Sequence, residues 1–394
     1  MDSQAVSFRV DKDDFANAVG WVARSLPAKP AQPVLRGMVI TASDEGLELA
    51  GFDYEVSTQV KIPAEVNEAG RIAVAGKLLA DITAMLPNKP VELRVEGSNV
   101  LVTCGSVRFE IPVIPLDDYP QLPQLPHTTG NIDPKLFSEA VSQVAIAAGR
   151  DETLPMLTGV HMDINGDTML LAATDRFRLA VRTFDWEATD KSATAKLLIP
   201  AKTLLDNARS IDSQVGNDLH IAVGVGEQLG REGLFGLQSD ARQTTTRMLD
   251  AEFPNFQPLL PKTHESMAVV QISPLQDAIR RVSVVADRNS QITMQFSDGE
   301  LVLSAGGSEA GHAEENLPCA FFGNPLTIAF NTGYLKDGLS VIHTENVMFG
   351  FTQPSRPAIL IPEPETVPEA DDNGVFATPQ TNLTYLLMPV RLPG

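Results

Sequence analysis

The sequence of 394 residues contains only two cysteines, Cys104 and Cys319. Two cysteines cannot form a disulfide framework, and their separation does not match the paired spacing of a zinc site. No stretch approaches the roughly 18 apolar residues of a membrane-spanning helix. The N-terminus also lacks the basic start and apolar stretch of a secretory signal. We therefore expect a soluble cytoplasmic protein with no membrane partner.

Basic residues are scarce relative to acidic ones. Lys and Arg together number 30 and Asp and Glu number 50, which gives a formal net charge of −20. This balance excludes a protein that holds nucleic acid by bulk positive charge. It does not exclude a basic lining inside an acidic body, because electrostatic fields are local. The hydrophobic fraction of 43% is ordinary for globular chains, and a chain of this length is expected to form two or three domains.

Motifs of catalysis and cofactor binding are also missing. Residues 70–77 (GRIAVAGK) resemble a phosphate-binding loop, but five residues separate the glycines where the motif has four, and Leu78 follows the lysine. We predict instead a strand that runs into a helix. Residues 224–230 have the wrong spacing for a dinucleotide-binding motif and are predicted to connect a hairpin. No histidine pair at i, i+4 and no Gly-x-Ser-x-Gly elbow occurs. The sequence thus gives no positive indication of an enzyme, a cofactor or a metal.

The sequence does contain an internal repeat. Residues 11–19 (DKDDFANAV) resemble residues 133–141 (DPKLFSEAV), and a weaker echo lies at 273–279. Two further landmarks recur in the same order, at 46–53, 168–175 and 300–305, and at 77–79, 203–205 and 333–335. Chance similarity would not keep this order at spacings near one third of the chain. We predict three repeated domains, at residues 1–127, 128–262 and 263–394.

The pattern within each repeat predicts its architecture. Prolines mark connectors at 115–123 and 250–258, because proline cannot donate to a sheet ladder. Asp11 and Asp133 are predicted to cap helices. Short strands separated by Gly, Asp and Asn turns predict antiparallel sheet, so each domain is expected to be α+β with two helices on one face of a sheet. The acidic stretch 363–381 is predicted to be a mobile loop.

Two segments stand out as candidate binding residues. The first is 174–180 (TDRFRLA), in which two arginines flank Phe177. These arginines are suited to hold a backbone or a carboxylate, although a polar turn after a buried strand is the alternative. The second is 385–392 (YLLMPVRL). A buried last strand is the alternative there, but Met388 and Pro389 favour an adaptable binding surface.

These two segments, together with 253–256 (FPNF) and 330–335 (FNTGYL), resemble the bacterial DNA polymerase III beta subunit family, the sliding clamps. The resemblance covers essentially the whole chain and agrees with the threefold repeat. It implies a DNA clamp fold and a head-to-tail homodimer that closes a six-domain ring around duplex DNA, with helices lining the hole. It also implies a non-catalytic processivity factor without cofactor.

The partners that the resemblance implies are duplex DNA bound without sequence preference, a second copy of the chain and the catalytic subunit of DNA polymerase III. A clamp loader and other polymerases and repair proteins with clamp-binding peptides complete the set. Weak phosphate contacts are expected to let the ring slide.

The resemblance further implies three sets of site residues. A peptide-binding pocket between the central and C-terminal domains is implied at Leu157, Thr174, Arg176, Phe177, Arg178, Leu179, Pro254, Leu259, Asn331, Tyr334, Leu386, Met388, Pro389, Val390 and Arg391. DNA contacts are implied at Lys29, Lys77, Lys135, Lys202, Arg209, Arg280 and Arg281. Dimer contacts are implied at Phe109 and Ile111 against Val284 and Val285. The alternatives are solvated surface charges for the basic residues and ordinary core positions for the dimer residues.

The sequence departs from the family pattern in the pocket. Arg176 and Phe177 stand where many relatives have Gly and His, which leaves the depth and preference of the pocket open. Two residues follow Leu392, and the stretch 363–381 is longer than in many relatives.

Two other function classes remain as alternatives. A hydrolase could use carboxylates of the connectors, such as Asp117 and Asp250, and would lose activity when either is changed to asparagine. A repeat adhesion or carbohydrate-binding protein would be a monomer that does not associate with DNA. A stable dimer favours the clamp over both.

Overall fold

The computed structural model describes residues 5–212, 219–224, 233–239, 241–285, 291–307 and 311–391. The chain forms two compact units: unit 1 comprises residues 1–135, 187–191 and 209–248, and unit 2 comprises residues 136–186, 192–208 and 249–394. The described helices are α1 (Lys12–Ser25), α2 (Gly76–Met85), α3 (Pro134–Ala145), α4 (Pro155–Thr158), α5 (Ala201–Asp212), α6 (Ile272–Val282) and α7 (Thr332–Ser340).

The strands alternate with these helices along the chain. Those before α3 are β1 (Ser7–Val10), β2 (Gly37–Ser43), β3 (Gly46–Phe52), β4 (Val56–Ile62), β5 (Glu65–Glu68), β6 (Gly70–Ala75), β7 (Val91–Glu96), β8 (Asn99–Cys104), β9 (Val107–Ile114) and β10 (Thr128–Ile132). Those that follow α4 are β11 (Gly159–Asn165), β12 (Thr168–Thr174), β13 (Arg178–Asp185), β14 (Glu187–Ala188), β15 (Thr194–Pro200), β16 (Leu219–Val223), β17 (Leu234–Gln238) and β18 (Arg242–Arg247). The last are β19 (Thr263–His264), β20 (Ser266–Gln271), β21 (Gln291–Ser297), β22 (Glu300–Gly307), β23 (Gly311–Pro318), β24 (Ala320–Gly323), β25 (Leu326–Asn331), β26 (Asn346–Phe351), β27 (Ala358–Pro362), β28 (Phe376–Ala377) and β29 (Leu383–Leu387).

Unit 1 is built on one antiparallel sheet in the order β14-β10-β16-β17-β18-β4-β3-β2-β6-β9-β8-β7-β1-β5. Helix α1 begins after Asp11, as predicted: its carboxylate accepts hydrogen bonds from the N–H groups of Asp13 at 2.8 Å and Asp14 at 3.1 Å. Because the first N–H groups of a helix have no partner within the helix, this cap stabilises its start. The apolar side of α1, including Phe15, packs in the core with Phe8.

A buried cluster of side chains joins distant parts of unit 1. The indole N–H of Trp21 donates to Ser210 Oγ at 3.1 Å, and the guanidinium of Arg242 lies 5.1 Å from the centre of the Trp21 ring. Strand β18, which begins at Arg242, pairs with β4 in the sheet. Residues of the predicted first and central domains therefore share one sheet and one compact unit. The domain bounds derived from the repeat stay a prediction.

Unit 2 contains a sheet in the order β15-β11-β12-β13-β29-β27-β26-β20-β24, a second sheet β23-β22-β21-β25 and the pair β19-β28. The last strand, β29, lies between β13 and β27 and pairs with both. This pairing brings the C-terminus beside the turn that precedes β13. The two segments singled out in the sequence thus become neighbours through the sheet.

Most of the predicted elements are present. Residues 70–77 form strand β6 and the start of α2, as predicted, and each of the predicted helix pairs is found. The predicted hairpin connection at 225–230 lies outside the described residues, although its flanking strands β16 and β17 do pair. Residues 363–381 are mostly loop, as predicted, with a turn at 371–375 and the two-residue strand β28, and their mobility stays a prediction.

The physical reason for the ordered turn is local. The carboxylate of Asp371 accepts hydrogen bonds from the N–H groups of Asn373 at 2.8 Å and Val375 at 2.9 Å. Phe376 follows and is buried in the core of unit 2. Burying this aromatic side chain offsets part of the entropy lost when the turn forms.

His264 is a buried neutral histidine in this region. Thr378 Oγ1 donates its hydrogen to the carbonyl of Pro261 at 2.7 Å, so the His264 Nε2–H must donate to Thr378 Oγ1, also at 2.7 Å. Its Nδ1 is buried and has no hydrogen-bond partner among the described residues. Burial lowers the pKa of His264 from 6.5 to about 4.

We expect this histidine to make the protein less stable in acid. Between pH 6.5 and pH 4 the unfolded chain binds a proton at this site and the folded chain does not. The contribution of neutral His264 to the free energy of unfolding is therefore complete above pH 6.5. About 3 kcal/mol of it is lost as the pH falls towards 4. Urea unfolding of the wild type and His264→Gln at about pH 7 and about pH 4.5 measures this. The variant should show a smaller loss between the two pH values, and an equal loss would contradict the prediction.

Candidate functional site

A cavity of about 570 Å³ lies in unit 2. Three separate segments line it, namely residues 148–157, residues 175–178 and residues 331–337. The lining residues are Ala148, Gly149, Arg150, Asp151, Leu154, Leu157, Asp175, Arg176, Phe177, Arg178, Asn331, Gly333, Tyr334 and Asp337. Six of these were predicted from the sequence: Leu157, Arg176, Phe177, Arg178, Asn331 and Tyr334.

A tight turn between β12 and β13 forms one wall of the cavity. Asp175 Oδ1 accepts hydrogen bonds from the N–H groups of Phe177 at 3.0 Å and Arg178 at 3.2 Å, and Thr174 Oγ1 accepts from Arg176 N–H at 3.2 Å. Arg176 has φ of 80°, a left-handed conformation that glycine adopts more easily than arginine. The turn directs Phe177 outward, so its side chain is 57% exposed.

Arg178 is a buried cation at the centre of an ionic network, in which Asp175 is nearly buried and Asp337 is partly exposed. Its Nε donates to Asp175 Oδ2 at 2.9 Å and its Nη1 donates to Asp337 Oδ2 at 2.5 Å and to the Tyr385 hydroxyl at 3.3 Å. Its guanidinium also lies 4.4 Å from the centre of the Tyr334 ring. Two carboxylates and an aromatic face thus compensate the cost of burying one cation.

The two tyrosines beside Arg178 are fixed by the same network. The Tyr385 hydroxyl donates to the carbonyl of Tyr334 at 3.0 Å, and burial raises the pKa of Tyr385 while Arg178 opposes that rise. Burial and the nearby Asp175 carboxylate raise the pKa of Tyr334. Both phenols are therefore neutral at physiological pH. Asn331 caps α7 by accepting from Tyr334 N–H at 3.0 Å, so its carbonyl oxygen already has a partner within the chain.

Phe177 and Tyr334 form an aromatic surface at the cavity. Their ring centres are 6.2 Å apart and the ring planes differ by 22°. The chain after β29 runs beside them: Met388 N–H donates to the Phe177 carbonyl at 2.9 Å, and Val390 N–H donates to the Ala329 carbonyl at 2.8 Å. Met388 and Val390 both remain partly exposed, so this edge of unit 2 presents apolar side chains to solvent.

The other predicted pocket residues lie near this surface or beneath it. Leu179 and Leu386 are buried in the core with Phe256, so they support the site from below and do not line the cavity. Thr174 shapes the turn. Pro254 in the connector, Leu259 just after it and Arg391 in the tail are exposed, and Pro389 is partly buried. None of these four lines the cavity.

Several lining residues were missed by sequence reasoning. Asp337 is the most informative, because it lies one helical turn beyond Tyr334 on α7 and so shares its face. The three-residue spacing of Tyr334 and Asp337 could therefore have predicted that Asp337 lies near the site. Asp175 belongs to the candidate binding segment 174–180. The sequence did not predict that it would be the ionic partner of Arg178. The stretch 148–154 has no motif, and only the tertiary structure places Arg150 and Asp151 at the cavity.

Comparison with known proteins identifies the family. Family models described as the N-terminal, central and C-terminal domains of the DNA polymerase III beta subunit match residues 6–123, 131–255 and 257–370. The chain belongs to this family, the beta sliding clamps. A beta sliding clamp of Streptomyces coelicolor is 43% identical over 389 residues, which cover 99% of this chain and 100% of that protein.

Solved clamp structures share the fold. A sliding clamp from Bacillus subtilis matches with a TM-score of 0.87 at 23% identity, and covers 98% of this chain and 100% of its own. A clamp from Pseudomonas aeruginosa bound to griselimycin matches with a TM-score of 0.86 at 25% identity and the same coverage. The predicted α+β fold with three clamp domains is confirmed.

Membership of the beta clamp family decides the function class. The protein is a sliding clamp of DNA replication, a non-catalytic processivity subunit, as predicted. The hydrolase and adhesion alternatives are therefore wrong. In the part of the chain that the structure covers, no group of three or more His, Cys, Asp or Glu side chains is arranged for a metal. None of the described helices is long and apolar enough to cross a membrane.

The basic residues that the clamp resemblance implied for DNA contact are all exposed. Lys29 follows α1, Lys77 lies on α2, Lys135 on α3, Lys202 and Arg209 on α5, and Arg280 and Arg281 on α6. Three form ion pairs with acidic neighbours: Lys202 with Asp206 at 2.7 Å, Arg280 with Asp277 at 3.2 Å and Arg281 with Glu315 at 2.6 Å. Arg281 forms the most extensive of these ion pairs, because it donates to both carboxylate oxygens of Glu315 on strand β23.

The structure separates the four implied dimer residues into two kinds. Ile111 is 3% exposed and packs in the core of unit 1, and its implied dimer contact stays a prediction. Phe109 and Ile111 are two positions apart on β9 and so lie on the same face of the sheet, but the core covers only Ile111. Phe109 is 36% exposed and Val284 is 82% exposed, while Val285 is partly buried.

Proposed function

We propose that this beta clamp closes a head-to-tail homodimeric ring around duplex DNA in the cytoplasm and holds replication proteins through the cavity of unit 2. The occupants of the cavity are short peptides from the catalytic subunit of DNA polymerase III, the clamp loader, and other polymerases and repair proteins. The single observation that supports this most directly is the aromatic pair at the cavity: exposed Phe177 stacks on partly buried Tyr334, beside a tail of partly exposed apolar residues.

The chemistry of the cavity suits a peptide with apolar anchors. Each anchor side chain that leaves water contributes roughly 1.5–3 kcal/mol. The Arg178 network fixes the ring of Tyr334 before a ligand arrives, which lowers the entropy cost of binding. A preformed site of this size is typical of ligand-binding cavities, which span about 300–1,000 Å³.

Two strand edges with unpaired backbone groups are the evidence for the proposed ring. Residues 107–112 of β9 pair with β8, and the side facing β6 is paired only at Val113 and Ile114. Strand β23 pairs only with β22 among the described strands. Unpaired edges expose N–H and C=O groups that can pair with a second chain. Because the two edges differ, their pairing is heterologous and gives a closed ring only if the rotations sum to a full turn.

Sliding requires weak contacts with DNA, and the basic residues fit that requirement. The seven implied residues are exposed and three are already paired with carboxylates. A chain with a net charge of −20 cannot bind phosphates tightly over a large area.

We expect a clamp truncated after Leu387 to bind a labelled peptide from a polymerase tail about tenfold more weakly than the full chain, because the truncation removes the apolar contacts of Met388 and Val390. Truncation after Leu387 leaves β29 intact, whereas truncation after Tyr385 would also remove buried Leu386 and Leu387. Fluorescence anisotropy measures the affinity, and circular dichroism confirms the fold. Unchanged affinity in a folded truncated protein would contradict a peptide site at this edge.

A further inference from the structure

The charges that line the cavity are not evenly placed. Arg178, Asp175 and Asp337 form the inner network described above, in which each group has an ionic partner. Arg150, Asp151 and Arg176 line the same cavity but are exposed, so they form its rim. The rim thus has two positive charges and one negative charge in a protein whose total charge is strongly negative.

The two rim arginines are available to a ligand. Neither Arg150 nor Arg176 has an acidic partner within 4.0 Å among the described residues, whereas Arg178 has two. Asp151 is the nearest rim anion, and its carboxylate is already occupied by Thr153, whose hydroxyl lies at 2.6 Å and whose N–H lies at 3.0 Å. These bonds, with Arg176 as a weaker contributor, lower the pKa of Asp151 and keep it ionised.

The backbone holds Arg176 at this rim. Its left-handed conformation is enforced by the hydrogen bonds of Thr174 and Asp175 to the turn, because three consecutive N–H groups bond to these two side chains. A glycine would suit the conformation better. The turn therefore keeps a strained arginine beside the aromatic pair, where a ligand seated on Phe177 and Tyr334 would meet its guanidinium.

We propose that this cavity prefers peptides with a carboxylate side chain next to their apolar anchors, and that Arg176 and Arg150 are the specificity-determining residues. The inference rests on the proposed peptide-binding function. A guanidinium can bind a carboxylate through two hydrogen bonds in a fixed geometry, which adds orientation to attraction. The net charge of the whole chain repels an acidic peptide at long range. The preference therefore comes from short-range contacts with the two arginines.

The test uses two labelled synthetic peptides of equal length from a polymerase tail, identical except for Asp or Asn beside the apolar anchors. Full-length wild type should bind the Asp peptide roughly fivefold more tightly than the Asn peptide, as expected for an ion pair near solvent. The preference should shrink at high salt, because exposed pairs are screened.

Variants distinguish the contribution of the two rim arginines from that of the rest of the cavity. Arg150→Gln with Arg176→Gln should bind both peptides with the affinity that the wild type has for the Asn peptide. Arg36→Gln with Arg356→Gln removes the same two charges from exposed residues that do not line the cavity and should keep the full preference. Equal binding of both peptides to the wild type would overturn the inference and leave the peptide site standing. If neither peptide binds, the proposed function fails and the inference fails with it.

Discussion

Replacing Arg178 with alanine is expected to lower the free energy of unfolding by about 3 kcal/mol and to weaken peptide binding. The change leaves the Asp175 and Asp337 carboxylates without their cation, and breaking a buried ion pair from one side is far more costly than removing both partners. Tyr334 also loses the guanidinium on its ring face. Urea unfolding followed by tryptophan fluorescence and circular dichroism measures the loss.

A matched rescue distinguishes the ionic network from simple packing. Arg178→Met combined with Asp175→Asn and Asp337→Asn removes all three charges at once. The Asp175→Asn side chain would still accept the two backbone hydrogen bonds of the turn through its amide oxygen. We expect this triple variant to regain most of the lost stability. If it is as unstable as Arg178→Ala, the loss comes from packing and the network has no special role.

A charge placed at either proposed dimer edge, at Phe109 on β9 or at Val284 in the 3-10 helix that follows α6, is expected to convert the dimer into a monomer. Phe109→Asp and Val284→Asp should each raise the dissociation constant about a hundredfold, because each replaces an exposed apolar contact with a charge that the interface would have to desolvate. Sedimentation velocity should then show a species of 42.4 kDa where the wild type has twice that mass.

The control for this prediction is Met85→Asp. Met85 is an apolar residue on α2 that is even more exposed than Val284 and lies outside the proposed interface. The Met85 variant should remain a dimer. Dimers in both edge variants would place the interface elsewhere, and monomers in all three would show a general effect of added negative charge.

The sequence predicted much of the local structure because the relevant forces act over short distances. Asp11 was recognisable as a cap since an N-cap interacts with residues two and three positions ahead. The strand-to-helix interpretation of residues 70–77 followed from motif spacing alone. Composition predicted the acidic loop but not the burial of Phe376 within it, because that burial depends on the core that this side chain meets.

The site was predictable only in part. Leu157, Arg176, Phe177, Arg178, Asn331 and Tyr334 were found through the family resemblance and lie together at the cavity. Leu179 and Leu386 came from the same resemblance but pack with Phe256, because strand alternation sends them to the face opposite Arg178 and Tyr385. Asp337 and Arg150 were missed, since neither has a motif of its own.

The sequence by itself determined the threefold repeat, the α+β class and the absence of a catalytic motif, because periodicity and spacing are local properties of the chain. Only the tertiary structure decided which charges meet. Pairing of β29 with β13 brings Tyr385 to Arg178 across 207 positions, and the packing of α7 brings Asp337 to the same arginine across 159. Contacts at such separations depend on how the sheet closes, which the order of residues along the chain does not specify.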